Sequence, residues 1–548
     1  MKRKIYLLLS VILMTSLSYA QSTDQNYIVT RTYNYNTTNG TDSIIIIQYF
    51  DGLGHPVQTV QKGITPQHND LVTLTEYDGV GREKYQWLPK TNSGNGAFVE
   101  PAMFIAKQEP LYSGDSRPYN ETKYEASPLN RVTEQFGAGQ AWGTANKRAT
   151  TAYQTNAGEV KYFYVNTLGQ LAQGANYAPA TLYKTVTADE DGKTVTEYKD
   201  KLGQVVMQRR GTTDIADTYY VYNDLGQLSY VLPPLAADAG GSADAINKYG
   251  YVYKYDDRGN CIYKKLPGCD SICMAYDKAN RMIVSQDGNQ RLSYRAIVTK
   301  YDIIGRILYS YVANTGVVNN AKRNILKNIV VTETYNGTGE TGYTFQTYSM
   351  GTMQKLLTVN YYDNYTFVSS DSLKYTAKAG FSKAYTDNSG IQEPSFTDLN
   401  AKGLLTGTRT CLLDDSGRYL TTVYYYDDKG NVVQQLSTNH LGGYDRVYSD
   451  LDFTGKPNKT LKEHSIPDSP AGPDYETGQC WTAANVSELY THIYDNTGRL
   501  LKTDYKINDK PTVTLADMSI GGYDELGRLI LKKRHGGTDT ESFQYNIR

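Results

Sequence analysis

The 548-residue sequence has almost no long apolar run. The single candidate is Ile5 to Met14, preceded by Lys2, Arg3 and Lys4 and followed by the small-x-small motif Ser18-Tyr19-Ala20. A membrane helix needs about 20 apolar residues and this run is about half that. Residues 1–20 therefore read as a secretory signal peptide, with the mature chain expected from Gln21. No Cys follows the cleavage site to accept a lipid. The expectation is export to the periplasm, cell surface or exterior, with no membrane span after cleavage.

Charge of one sign is also missing. Lys plus Arg number 56 and Asp plus Glu 57, so there is no basic field to attract nucleic acid or an anionic membrane. Cysteine is scarce and odd in number, five in all. Cys261, Cys269 and Cys273 are close together, whereas Cys411 and Cys480 are isolated, and at least one thiol stays free or pairs outside the chain. The trio is open to a local disulfide or a metal, although its spacing is not that of a zinc knuckle and no His accompanies it. Only six His occur (His55, His68, His440, His464, His492, His535). There is no His-Glu-x-x-His motif, no Gly-x-Ser-x-Gly elbow and no phosphate-cradling Gly-x-x-x-x-Gly-Lys. No catalytic, cofactor or metal residue is assigned, and the chain is not expected to be an enzyme.

Tyrosine is what the chain has in abundance: 51 against 11 Phe and 3 Trp. Such composition suits a pleated surface packed on its rings and wet at its hydroxyls. Many of these tyrosines open one recurring eight-residue design, seen clearly in Tyr523-Asp524-Glu525-Leu526-Gly527-Arg528-Leu529-Ile530. An aromatic residue ends a strand, and an Asp that can bond its own backbone opens a turn. Two turn residues follow, a Gly takes the positive-φ position, and a polar residue with an aliphatic begins the return strand. Each copy reads as the tip of a β-hairpin.

Twelve copies occur. The turn-opening acid is Asp51, Asp78, Asp256, Asp302, Asp427, Asp495 or Asp524 in the clearest ones. The fifth position is Gly54, Gly81, Gly169, Gly203, Gly226, Gly259, Gly305, Gly430, Gly455, Gly498 or Gly527. The exception is Asn280, the residue type next most tolerant of the left-handed region. His55 stands in the last tip position of the first copy and reads as a solvated turn residue. The repeated Asp residues are explained by their turns, so no carboxylate pair for glycoside hydrolysis stands out.

Runs such as Thr421-Thr422-Val423-Tyr424-Tyr425-Tyr426 read as strands between the tips. Leu88-Pro89, Leu232-Pro233-Pro234 and Leu266-Pro267 stop return strands. Asp287-Gly288 reads as a second kind of tight turn, and Ala236 to Tyr249 as the one short helix. Residues 21–160 differ in texture. After two tips come about 80 residues without one, carrying Pro101, Pro110, Pro118 and Pro128, which suggests a separate leading domain. Residues 161–316 and 414–548 hold repeats. Residues 317–413 hold one degraded match, Tyr362-Asp363, and are either irregular hairpins or an insertion.

These tips resemble the YD repeats of bacterial RHS (rearrangement hotspot) proteins. The front region, with Tyr49-Phe50-Asp51-Gly52-Leu53-Gly54-His55-Pro56-Val57-Gln58 and Tyr124 to Arg131, resembles the uncharacterised domain often found ahead of them. The resemblance implies hairpins wound side by side into a hollow β-shell, commonly enclosing a C-terminal toxin released by self-cleavage. His55 departs from the usual Arg. The family's autoproteolytic core motif and variable toxin tail do not occur, and Tyr545-Asn546-Ile547-Arg548 begin a further tip. An array ending there is expected to be an incomplete shell that self-associates through its open edge or takes strands from an RHS core or toxin polypeptide encoded downstream.

The residues also support the shell directly. A lone hairpin is marginal in water, so the copies must pair laterally, and so many twisted strands must curl or close. The expected fold is all-β, with repeated hairpins winding into a spiral or partial shell behind a β-rich N-terminal domain. The leading functional reading is an exported structural protein of a polymorphic-toxin or cell-contact system. A carbohydrate-binding array, reading sugars with outward Tyr rings, is the alternative. Buried or lumen-facing rings favour the shell, and regularly spaced outward rings the sugar reader.

Overall fold

The computed structural model describes residues 22, 24–36, 40–107, 110–345, 350–385, 399–414, 417–466 and 484–545. The signal segment, Cys480 and the final Asn546-Ile547-Arg548 lie outside them. Among the described residues, thirty-one strands form one antiparallel sheet, and Phe163–Val165 pairs with Leu171–Gln173 as a separate hairpin. The helices among the described residues are short, at most seven residues. No helix among the described residues is long and apolar enough to cross a membrane.

The sheet is a long meander. From Asn26–Asn36 onward, strands pair mostly with their neighbours in sequence, as two-residue turns between alternating β-branched and aromatic runs require. Two departures matter. Asp70–Tyr77 pairs both Glu83–Trp87 and Lys90–Asn92, and Ala149–Thr155 skips the small hairpin to pair Tyr183–Ala188. The second join carries the sheet from the front region into the remainder. No strand pairing closes the sheet on itself among the described residues.

A meander has two rims. The repeat tips of the main sheet share one, here the tip rim, and the alternate turns lie on the far rim, where Asp189 to Gly192 and Asn439 to Gly442 form the same kind of turn. Longer excursions leave both: residues 156–182 and 364–400 from the tip rim, and 88–118, 233–250 and 315–351 from the far rim. Strand alternation places the residue just before each tip aromatic on one face. Tyr49, Tyr198, Val221, Lys300 and Tyr425 all hold that position, and all are buried.

That face is covered by the chain's own excursions. Phe104 packs over Ile47, Tyr49 and Val72. Val160, Phe163 and Leu182 lie on Tyr198, Met207 and Tyr219. Leu326, Val331 and Tyr343 lie on Val298, Tyr309 and Tyr311, and Tyr365, Leu373 and Tyr375 on Val423 and Tyr425. Each large apolar side chain buried in this way is worth roughly 1.5–3 kcal/mol. The excursions are therefore the second layer that a one-sided sheet needs.

Some expectations are corrected. Asp287-Gly288 is not a hairpin turn: Asp287 accepts from the Gln290 N–H and Gln290 reaches back to the Asp287 N–H, a capping box for the helix Gly288–Leu292. The Ala-rich helix is split into Pro234–Asp238 and Ala243–Tyr249, because Gly240 and Gly241 both take positive φ between them. In residues 317–413 the strands Thr352–Asp363 and Ala401–Cys411 continue the sheet, and the remaining described residues fold over its face.

Candidate functional site

The feature repeated most often is the hairpin tip, and residues 302–306 show its parts. The Asp302 N–H donates to the Arg306 carbonyl (3.0 Å) and the Gly305 N–H to the Asp302 carbonyl (3.2 Å). Asp302 Oδ1 accepts from the N–H groups of Ile304 (3.0 Å) and Arg306 (2.8 Å), and Oδ2 from Arg306 Nε (2.6 Å). Gly305 stands at φ +92°, a region in which a side chain would be strained. The strand pairing slips by one residue at Lys300/Tyr301, which marks a bulge.

The other eleven tips share this turn. Their fifth residues take φ of 72° to 86°, or 60° for Asn280, and each donates its N–H to the carbonyl of the turn opener. The openers are Asp51, Asp78, Asn166, Asp200, Asn223, Asp256, Asp277, Asp427, Asp452, Asp495 and Asp524. All but one tip belong to the main sheet. Residues 166–170 belong to the separate hairpin, joined to the sheet by Tyr230 Oη donating to the Gly169 carbonyl (3.2 Å).

Sequence reasoning missed what the tip tyrosines do. Composition suggests wet hydroxyls, yet they donate to backbone carbonyls of the preceding tip. Tyr77 bonds Pro56 (3.0 Å), Tyr222 Val205 (3.1 Å), Tyr255 Leu228 (2.8 Å) and Tyr276 Cys261 (3.0 Å). Tyr301 bonds Met282 (2.9 Å), Tyr494 Pro457 (3.2 Å) and Tyr523 Leu500 (2.7 Å). In all of these the acceptor is the fifth residue after the opener. Burial pushes the Tyr222, Tyr255, Tyr276 and Tyr301 phenols up, so they remain donors well above neutral pH.

Cationic side chains complete the links. Arg281 lies 5.2 Å over Tyr301, Arg306 4.4 Å over Tyr362 and Arg499 5.8 Å over Tyr523. Arg281 also donates to the Asp302 carbonyl (2.8 Å). His55 fills the same place: its ring stacks on Tyr77 at 4.8 Å, and Nδ1 is 2.9 Å from Asp51 Oδ2. It is half-buried and bonded rather than merely solvated.

Two variant tips lie outside the twelve copies. Glu125 replaces the Asp, two extra residues lengthen the turn, and Asn130 takes φ +53°. Tyr124 still donates to the Glu83 carbonyl (2.9 Å). Hydrogen bonds from Arg131 and then Ser127 hold the Glu125 carboxyl down at about 2. At Asp363 the tip is opened to admit residues 364–400. Arg306 grips Asp363 through both nitrogens (3.1 and 2.6 Å), and the Gly403 N–H closes the turn from the far side of the excursion (2.7 Å).

The carboxylates are held by these bonds. The Arg82 N–H, then the Val80 N–H and the Arg82 guanidinium, keep Asp78 below the usual range, and the His55 N–H does the same for Asp51. Cys261, Cys269, Cys273 and Cys411 are free thiols, and no group of three or more His, Cys, Asp or Glu suited to a metal occurs among the described residues.

Where the array comes round, the front region meets late tips across a cleft of about 520 Å³. Lys62, Thr65 and His68 line one side and Asp495, Arg499 and Tyr523 the other. Asn69 Nδ2 donates to Glu525 Oε2 across it (3.4 Å). Asp495 and Arg499 are already bonded to each other. The cleft thus reads as a seam between turns of the sheet.

No curated protein matches the sequence. Among solved structures, a crystal structure of TcdB2-TccC3-TEV aligns with 95% of this chain and 30% of its own, at 12% identity and a TM-score of 0.39. TcdB2-TccC3 without its hypervariable C-terminal region aligns with 95% and 24% at 13% identity (TM-score 0.41). A Photorhabdus luminescens Tc holotoxin pore aligns with 95% and 30% at 13% identity (TM-score 0.37). The chain thus spans less than a third of the length of these structures. Residues 23–155 match the family model of a domain of unknown function, DUF6443.

Proposed function

We propose that the chain is a structural RHS-type scaffold, exported from the cell and forming part of a β-shell in a polymorphic-toxin or cell-contact system. The observation that carries this reading is the tip ladder: the polar groups of the repeat are consumed in bonds that tie one hairpin to the next. A surface built for catalysis or recognition leaves convergent polar groups unpaired at a pocket. Here the recurrent Asp, Arg and Tyr side chains bond one another and the backbone.

Ring placement also supports the scaffold over the sugar reader. The tyrosines of the twelve tips are half-buried or buried, and the exposed Tyr162, Tyr164, Tyr183, Tyr249, Tyr294 and Tyr385 follow no repeat spacing, while Tyr545, also exposed, donates to the Leu529 carbonyl as a tip tyrosine does. The natural partner of such a scaffold is an RHS core or toxin polypeptide encoded beside it. Two measurements test the reading. A reporter active only outside the cytoplasm, fused after residue 160, should be active, and deletion of residues 2–20 should silence it. Pull-down on insoluble polysaccharides should recover no protein. Specific, saturable retention on one polysaccharide would overturn the scaffold in favour of the carbohydrate reader.

A further inference from the structure

Large apolar side chains that remain exposed are concentrated at strand ends and turns. On the tip rim the residue before the tip glycine protrudes in Leu53, Val80, Leu202, Leu225 and Ile304, and Leu202 is 83% exposed. The far rim has its own set: Ile215, Leu235, Leu292, Tyr294, Val317 and Leu413, with Leu292 85% exposed. Adjacent tips are two strands apart, about 10 Å, as are Leu53 with Val80 and Leu202 with Leu225, while Arg258 and Ala279 hold the same position in the two tips before Ile304. Exposed apolar side chains grouped in this way mark interaction surfaces.

The chain itself shows how two rims meet. At the seam, the far-rim turn of residues 63–69 faces the tip rim of residues 495–528. Leu526, the counterpart of Leu202, is only half exposed there. One turn of sheet thus stacks tip rim to far rim. This leaves the earlier tips uncovered at one end and the later far-rim turns uncovered at the other. At several tips charge does not oppose a repeat of this contact, because the acid is paired within its own tip, as in Asp302 with Arg306 and Asp78 with Arg82, and Asp200 beside Leu202 accepts from the Leu202 and Gln204 N–H groups.

We infer that the uncovered tip rim is a docking surface for the far rim of a second copy of this chain, continuing the spiral from one molecule to the next. The contact is heterologous, two different surfaces meeting head to tail, so it generates an open series of oligomers rather than a closed dimer. It uses rims and exposed side chains, and it is independent of the unpaired strand edges.

Sedimentation velocity on the full mature chain tests this with two charge-bearing double variants. Leu202→Glu/Leu225→Glu blocks the tip rim and Leu292→Glu/Leu413→Glu blocks the far rim. All four positions are exposed, and unchanged circular dichroism and melting will establish that the variants fold. The wild type should show a concentration-dependent ladder of species. Each variant alone should remain monomeric across the same range, at least tenfold in concentration. An equimolar mixture should form a dimer and stop, since each protomer then offers one intact rim. A wild-type monomer at every concentration overturns the inference. So does a ladder that survives either variant, which would assign assembly to the strand edges. Loss of assembly in the tip variant alone also overturns it, pointing to tip-to-tip pairing, as does wild-type binding to neutral phosphatidylcholine vesicles in place of self-association.

Discussion

Removing the hydroxyl of Tyr301 isolates the bond that links one tip to the next. Tyr301 is 9% exposed, donates to the Met282 carbonyl at 2.9 Å and carries Arg281 over its ring. Tyr301→Phe keeps the ring and the stacked guanidinium and deletes one hydrogen bond, a net loss of about 1 kcal/mol, rising towards about 2 kcal/mol if the carbonyl is left unpaired. Tyr301→Ala removes the buried ring as well and should cost about 3–5 kcal/mol. Tyr183, 62% exposed, supplies the control: Tyr183→Phe should be neutral within about 0.5 kcal/mol. Native-state hydrogen exchange is the suitable assay, because a repeat array opens locally and a single global unfolding energy blurs neighbouring units. Protection should fall at residues 277–286 and 295–301 and remain unchanged near residue 500. If Tyr301→Phe matches the wild type while Tyr301→Ala collapses the region, the hydroxyl link contributes nothing and the ladder is ring packing alone. If Phe costs as much as Ala, the ring contribution is misassigned.

A Cβ added at Gly305 would meet open space, so Gly305→Val should lose on the order of 1–3 kcal/mol through backbone strain alone, while Gly305→Asn, the residue type found at position 280, should melt close to wild type. Lys300 and Glu333 form a buried ion pair (2.8 Å) between the sheet and the 315–351 excursion. Lys300→Met alone should cost about 3–5 kcal/mol, whereas Lys300→Met with Glu333→Leu should recover most of that loss; equal denaturation midpoints for single and double variants would contradict it. Burial pushes the Glu159 carboxyl up, but backbone N–H groups, the Tyr198 hydroxyl and Lys184 together hold it down at about 2, against 4.5 in an unfolded chain. A depressed carboxylate stabilises above the unfolded value and loses that contribution as pH falls. Limited acid proteolysis should therefore release residues 156–182 between about pH 4.5 and 2, and Glu159→Gln should weaken their attachment at neutral pH.

The turn itself was legible because all its determinants lie within six residues: an acid that bonds its own backbone, then Gly or Asn at the positive-φ position. The same locality explains what was not. The partner of each tip tyrosine lies one hairpin back, beyond any local pattern, so composition suggested wet hydroxyls where the structure has bonded ones. The Glu125 tip escaped because two added residues break the period, although Asn130 keeps the required backbone. Asp363 was visible only as a degraded copy because the excursion separates it from Gly403, which completes its turn. Apart from the Ala-rich pair within residues 233–250, the short helices were missed for a different reason. At five to seven residues they carry no periodic signal, and packing on the sheet rather than propensity holds them.

The links between tips run one way along the chain. Each linked hairpin offers a carbonyl to a tyrosine that arrives 15 to 55 residues later, from Cys261 with Tyr276 to Ile307 with Tyr362. A polypeptide delivered amino end first thus presents the acceptor of each tyrosine link before its donor appears. Each new hairpin can lock onto a finished surface without waiting for distant sequence, which keeps contact order low for so large a sheet. The sheet therefore has a direction of growth as well as a shape. Emergence and docking follow the same order, and each hairpin settles on one already folded.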